Sequence, residues 1–174
     1  MESEPVAGCR GQPPPENWRQ NRFVHISARA DYAVRALLAL ASAEPTQLTM
    51  HELADEQELP PKFLEAILAD LRKAGIVRSR RGAEGGYTLG RSADEISVGD
   101  VIRAVDGPLA AVRGIRPEQT EYEGAAEHLQ EVWVAVRAAV RSVLDEVTLA
   151  DVLAGSLPEH VQRLVTAPEA WRPR

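Results

Sequence analysis

The residues of this chain best suited to chemistry are basic. Between positions 59 and 91 stand seven of them, Lys62, Arg72, Lys73, Arg78, Arg80, Arg81 and Arg91, against three acidic ones, Glu65, Asp70 and Glu84. Seven minus three leaves +4 in this stretch, whereas the whole chain carries -6, so the remainder holds -10. Guanidinium and ammonium groups gathered in this way suit a phosphate backbone, and local charge rather than the net acidity decides the matter. An arginine can fork onto a guanine edge or lie in a narrow minor groove, and a carboxylate such as Glu65 can accept from cytosine N4. The competing readings are a solvated hairpin with ordinary charge clustering and, for Glu65, a solvent-facing helix residue paired with a nearby lysine.

Other chemistries are excluded or unsupported. Gly82-Ala83-Glu84-Gly85-Gly86 is not a P-loop, because no Gly-Lys-Ser/Thr follows. A KH-type Gly-x-x-Gly clamp would sit between helices. Glycines here more simply allow a tight turn with positive φ and close approach to phosphates. The single cysteine, Cys9, excludes a disulfide within the monomer and any multi-cysteine zinc or iron–sulfur site. Its only basic neighbour is Arg10, so it is either an incidental thiol or one half of an intersubunit disulfide. His25, His51, His128 and His160 show no metal-like spacing and read as surface or core residues. No His-Glu-x-x-His, Gly-x-Ser-x-Gly or Gly-x-Gly-x-x-Gly occurs, and nothing argues for an enzyme.

The basic residues need elements to position them. Of the 174 residues, 44% are hydrophobic and only 5% aromatic, which predicts an Ala/Leu/Val-rich, mainly helical core. Ala30, Ala33, Val34, Leu37, Leu38 and Ala41 follow helical spacing behind an N-cap at Ser27, and Pro45 stops the helix. Thr49 and Glu52 form a capping-box pair for a second helix through Glu58. A third opens at Pro60-Pro61, carries Phe63, Leu64, Ile67, Leu68 and Leu71 as core residues, and ends at Gly75. Ile76 to Arg81 and Tyr87 to Leu89 read as a β-hairpin, and Ser97 starts another helix that ends at Gly107-Pro108. After an aperiodic loop comes the strongest pattern in the chain, Leu129, Val132, Trp133, Val136, Val140, Val143, Leu144 and Val147. It predicts a helix over 124–147, about 36 Å long at ~1.5 Å per residue. Thr148 caps a short final helix through Leu153.

Three helices followed by a two-stranded hairpin make a winged helix-turn-helix plan, in which the helix before the hairpin enters the major groove and the wing meets the backbone or minor groove. The expected division is an N-terminal tail over 1–24, a winged helix-turn-helix domain over 25–106, a loop over 107–123, the long and short helices over 124–154, and a tail over 155–174. The prolines of the first segment break any helix, and the ordered pattern begins near Val24. A valine can mark an alternative start codon, and an intact native mass beginning at Met1 or Glu2 would reject that start. No apolar run approaches the ~20 residues that span a bilayer, and a cytoplasmic location is expected.

Ser27-Ala-Arg-Ala-Asp-Tyr-Ala-Val-Arg-Ala-Leu-Leu, Leu59-Pro-Pro-Lys-Phe-Leu-Glu-Ala-Ile-Leu-x-x-Leu-Arg-Lys-Ala-Gly-Ile-Val and Arg81-Gly-Ala-Glu-Gly-Gly-Tyr-x-Leu resemble the Rrf-two (Rrf2) family of bacterial transcription factors. The resemblance covers about residues 25–153 and is densest over 59–90. It implies a homodimer that binds an imperfect palindrome in double-stranded DNA and usually represses. By position, Lys62 and Glu65 would face the bases, and Arg81 with Gly82 would make the wing contact. Arg72, Lys73, Arg78 and Arg80 would hold phosphates, and Pro61 and Tyr87 complete the DNA-binding set. The long helix of the family crosses to the partner subunit, which assigns Leu129, Val132, Trp133, Val136, Val140, Val143 and Leu144 to dimerisation.

One departure bears on sensing. Cluster-binding members of the family carry three cysteines in the loop before the long helix, and this chain has none there. Asp31 resembles a carboxylate ligand of one family branch, but one carboxylate per site does not hold a cluster, and a contact to Arg35 is the simpler role. The expectation is no cofactor, with any signal coming from a small-molecule or protein effector. The second reading of the whole chain is a winged-helix protein-interaction module without specific DNA binding. Salt separates the two, because DNA binding weakens steeply with salt and an apolar interface does not.

Overall fold

The computed structural model of the chain describes residues 26–82 and 85–172. The tail, Cys9 and His25 lie outside the described residues. Helix α1 (Ala28–Ala43) starts where Ser27 accepts from the amide of Ala30; of its periodic residues Ala30, Ala33 and Leu37 are buried and Val34, Leu38 and Ala41 partly so, while Ala36, Ala39 and Leu40 are buried as well. Helix α2 (Met50–Gln57) opens on the Thr49–Glu52 capping box: Glu52 N–H donates to Thr49 Oγ1 at 3.2 Å, and Thr49 N–H donates to Glu52 Oε2 at 2.7 Å. Helix α3 (Pro61–Lys73) follows after a short turn. Strands β1 (Val77–Arg80) and β2 (Gly86–Leu89) pair antiparallel with Val77 opposite Leu89 and Arg80 opposite Gly86. Helix α4 (Val98–Asp106) packs on α1 and α3.

One core joins these elements. Leu37 and Leu40 of α1 meet Leu53 of α2, Leu64, Ile67, Leu68 and Leu71 of α3, Ile76, Val77, Ile96 and Val101. Each fully buried leucine among them contributes about 1.5–3 kcal/mol relative to exposure. The fold is mainly helical with a small hairpin, as expected. Phe63 is a correction: it is 39% exposed rather than in the core, with its ring edge-on to Tyr32 at a centroid distance of 5.7 Å. It stands beside buried Leu64 but about 100° round α3 from it, so its ring falls at the edge of the core-facing stripe.

The C-terminal part differs from expectation at both ends of its long helix. Helix α5 runs over Leu129–Leu144, about 24 Å at ~1.5 Å per residue, not over 124–147. Gly124 takes a left-handed φ of 61° and opens a single 3-10 turn instead. At the other end Val147 is buried, and its carbonyl accepts from the amide of Val98 at 2.9 Å while Leu149 N–H donates to Ile96 at 3.0 Å. The chain leaves the helix to make this pairing, and Thr148 then caps α6 (Leu149–Ala154). Residues 155–174 were expected as a tail, yet Glu159–Thr166 form a helix, α7. Pro158 starts it, and Leu157, Val161, Leu164 and Val165 keep helical spacing, although Val161 alone is buried and Leu164 and Val165 stay exposed.

Candidate nucleic-acid interface

The outer face of α3 follows from its inner one. Leu64, Ile67, Leu68 and Leu71 fill the core, so Lys62, Glu65, Ala66, Arg72 and Lys73 fall on the opposite side and are exposed. Pro61 stands exposed at the first helical position, where a missing N–H costs nothing. Ala66 and Ala69 leave the middle of this face low, so a groove floor can approach the backbone. Lys73 is not free on it: Nζ donates to Asp70 Oδ1 at 3.0 Å, and Asp70 also holds Arg29 of α1. The Lys73 hydrogen bond, with the charges of Lys73 and Arg29, keeps the Asp70 carboxyl below the usual aspartate range against partial desolvation.

The turn into α3 is fixed by α1. Arg35 donates through Nη2 to the carbonyl of Gln57 at 2.9 Å and through Nε to Gln57 Oε1 at 3.2 Å, satisfying groups at the end of α2. Asp31 lies 3.7 Å from the same arginine, the contact expected from their spacing. Glu58 takes a left-handed conformation, with φ 52°, and the amide of buried Leu59 closes back onto Ala54 at 2.9 Å.

The hairpin is tied to α2 rather than left to project alone. Leu48 N–H donates to Tyr87 at 3.2 Å and Tyr87 N–H donates to Leu48 at 2.8 Å, one residue before the cap of α2. Gly86 allows the approach: a Cβ there would stand 2.8 Å from the carbonyl oxygen of Leu48. Arg72 at the end of α3 reaches Ser79 Oγ at 3.5 Å, a long contact from α3 to β1. Along β1, Val77 and Ser79 take one face and Arg78 and Arg80 the other. At the tip Gly82 has φ 121°, and Gly85 N–H donates to its carbonyl at 2.9 Å. A polar recess of about 370 Å³ lies between these parts, lined by Thr49, Arg72, Ser79, Arg81, Gly82 and Tyr87 among others.

Of the predicted DNA-binding residues, Arg72, Arg80, Arg81, Gly82 and Tyr87 line this one recess between α3 and the hairpin, whereas Pro61, Lys62, Glu65, Lys73 and Arg78 lie outside it on the same two elements. Among the described residues, Lys62, Arg72, Arg78, Arg80 and Arg81 are exposed and have no carboxylate partner, whereas Arg91 sits 3.7 Å from Asp100 beyond the far end of β2. The sequence reading missed Thr49 and Leu48. The capping box marks Thr49 as a helix start, but nothing local shows that the helix start meets the hairpin.

Helix α5 buries none of its residues fully. Val132 and Val136 are 51% and 43% exposed, Leu129, Trp133, Val140, Val143 and Leu144 are partly covered, and Leu144 packs on the core of its own chain. Trp133 Nε1 is buried without a hydrogen-bond partner among the described residues. The loop before α5 has no cysteine, and no group of three or more His, Cys, Asp or Glu among the described residues could hold a metal ion. Thiolates are what an iron–sulfur cluster requires, so the donor set of this chain does not fit one.

No helix among the described residues is long and apolar enough to cross a membrane. The sequence profile of the Rrf2 family, described as an iron-dependent transcriptional regulator, matches residues 26–155. A Mycobacterium tuberculosis protein, Rv1287, named as an HTH-type transcriptional regulator, is 51% identical over 142 residues, which cover 81% of this chain and 88% of the relative. The structure of CymR, the global cysteine regulator of Bacillus subtilis, superposes with a TM-score of 0.65 at 35% identity, covering 76% of this chain and 98% of CymR. That of T. potens IscR gives a TM-score of 0.62 at 34% identity, covering 79% and 90%. With three-quarters of its length matched by the family profile and a winged-helix fold shared with these regulators, the chain belongs to the Rrf2 family of transcriptional regulators.

Proposed function

We propose that the protein is a homodimer that binds a palindromic operator, reads it with α3 and the hairpin, and represses transcription without an iron–sulfur cluster. The observation that carries this reading is the set of five exposed basic side chains on α3 and the hairpin, Lys62, Arg72, Arg78, Arg80 and Arg81, none with a carboxylate partner among the described residues. Lys62 and Glu65 on α3 are the base readers, and Arg81 with Gly82 enters the minor groove. Arg72, Arg78 and Arg80 position the backbone, with Pro61 and Tyr87 beside them. Lys73 contributes less than its exposure suggests, because Asp70 already neutralises it. The half-bare stripe of α5, with Val132 and Val136 the most exposed, supports dimerisation.

The test is a gel-shift titration on DNA upstream of the coding region, with excess competitor DNA. Wild type is compared with Arg81→Ala and Glu65→Ala at two salt concentrations. Binding that resists competitor in the wild type and yields to it in the variants supports the reading. Binding lost equally to any competitor favours a winged-helix interaction module instead.

A further inference from the structure

A second concentration of basic groups lies away from the DNA-facing side. Arg103 of α4, Arg116 of the following loop, and Arg137 and Arg141 of α5 line one cavity of about 470 Å³ with Pro108, Leu109 and Glu118. Four guanidinium groups against one lining carboxylate is a costly arrangement in a chain of net charge -6. Carboxylates behind the wall hold part of it together. Asp145 accepts from Arg103 Nη1 at 2.6 Å and from Arg141 Nε at 3.0 Å, and Asp100 accepts from Arg103 Nη2 at 2.9 Å. Arg137 donates through Nη1 to Glu118.

These anchors leave donors over. Arg141 is held through Nε, so both of its terminal nitrogens are uncommitted. Arg137 keeps Nε and Nη2, and Arg116 makes no side-chain hydrogen bond among the described residues. Guanidinium forks match carboxylate and phosphate oxygens two at a time. Pro108 and Leu109 add a short apolar wall, and the volume is that of a small-molecule site. Arg137 and Arg141 stand four residues apart, on a face of α5 turned roughly 100° from the Val132–Val136–Val140 stripe. Trp133 stands on the same row of the helix as Arg137 and Arg141, so a seam centred on Val132, Val136 and Val140 leaves the cavity open while one that takes in Trp133 borders it.

We propose that this cavity binds a small organic anion carrying two or more carboxylate or phosphate groups. Such a ligand draws the 107–118 loop, the end of α4 and the middle of α5 onto one set of charges. Helix α4 packs on α1, and α1 holds α3 through the Arg29–Asp70 pair, so the cavity is joined to the DNA-facing helix by direct contacts. The anion acts as a signal if it binds the DNA-competent and incompetent states unequally. That regulatory step rests on the operator-binding reading, whereas the site itself does not.

Calorimetry on the full chain without DNA tests the site, with citrate and pyrophosphate as probes at matched ionic strength and chloride as the reference. Saturable binding of citrate, of pyrophosphate or of both is expected, and which one binds identifies the acid group. Arg141→Gln and Arg116→Gln should each weaken it about tenfold or more, as losing a charge-assisted hydrogen bond does. Arg116 has no bonded partner to lose, so its variant probes the cavity without disturbing the fold. Arg163→Gln on α7, outside the cavity, should leave binding unchanged. No saturable binding of either probe overturns the site, as does binding indifferent to both cavity variants. Repeating the operator titration with the bound probe separates the two ideas: unchanged operator affinity overturns the regulatory role, and absent operator binding without any probe counts against the DNA reading alone.

Discussion

Leu48 and Tyr87 exchange both of their backbone hydrogen bonds, at 3.2 and 2.8 Å, and so fasten the hairpin to the start of α2. Without that exchange a two-stranded ribbon of four residues a side would be marginal in water. With it, and with Val77 and Leu89 buried in the core, the hairpin is held at the start of α2 and packs beside α3.

Gly86→Ala tests that relationship. The added Cβ would stand 2.8 Å from the backbone oxygen of Leu48, which cannot swing aside as a side-chain end can. The expected cost is about 1–3 kcal/mol of stability. Operator affinity should fall further than the stability loss explains, because the wing is displaced. Urea unfolding and gel shifts on the same preparation measure both, and full affinity in a destabilised variant would show that the wing position is unimportant.

Salt dependence counts the phosphate contacts. If the five exposed basic groups of each protomer all neutralise phosphates, a dimer contributes ten, and the slope of log K against log salt approaches about -9. Arg80→Gln should lower its magnitude by about 2, one contact in each protomer. Arg81→Ala should in addition cost about 1–3 kcal/mol of discrimination if it reads a base or a narrow groove. Equal effects at Arg80 and Arg81 on specific and random DNA would place both on the backbone.

Glu65→Ala has an expected outcome of the opposite kind. Removing a carboxylate from a face that meets phosphates should strengthen binding to random DNA. It should also lose discrimination at one base pair in each half-site, about 1–3 kcal/mol per position. Competition between the operator and single-base variants of it measures this, and an unaltered preference would make Glu65 a solvent-facing residue only.

Val136→Asp addresses the assembly. Val136 is 43% exposed and lies outside the core of its own chain, so the protomer should fold normally. In a two-fold dimer the change occurs twice, and losing about 1.5 kcal/mol at each copy weakens association about a hundredfold. Sedimentation over a range of concentrations reads this directly. Unchanged association would move the interface off the α5 stripe.

Acid should release the tie between α4 and the C-terminal helices. Burial opposes ionisation of Asp145, but hydrogen bonds from Arg103 and Arg141, with their charges, outweigh it and hold the carboxyl below the usual aspartate range. A carboxyl depressed in the folded state stabilises fully above its unfolded pKa of ~3.9 and loses that contribution as pH falls through the folded value. Asp145→Asn should therefore be less stable than wild type at neutral pH, with the difference shrinking below about pH 4. Thermal unfolding across that range checks it, and a difference independent of pH would assign the effect to packing alone.

The sequence by itself determined the local elements and the chemistry they carry. Ser27, the Thr49–Glu52 box, Pro61 and Gly75 mark helix ends through hydrogen bonds and φ preferences within a few residues, and α1 to α3 and the hairpin appear where those signals place them. The basic cluster was legible for the same reason, being contiguous in the chain. Tertiary structure decided what depends on distant partners. Val147 fits the period of the long helix, yet its carbonyl is claimed by Val98 and the helix ends early. Phe63 has core chemistry but lies about 100° round α3 from buried Leu64, at the edge of the core-facing stripe. Leu157, Val161, Leu164 and Val165 carry a helical period, but only Val161 finds a burial partner, which the fold alone decides. The four arginines of the cavity come from α4, a loop and α5, and no local spacing brings them together. Two of them, Arg103 and Arg141, meet because Asp145 offers one oxygen to each, and Glu118 of the loop takes Arg137, pairings visible only once the chain is folded.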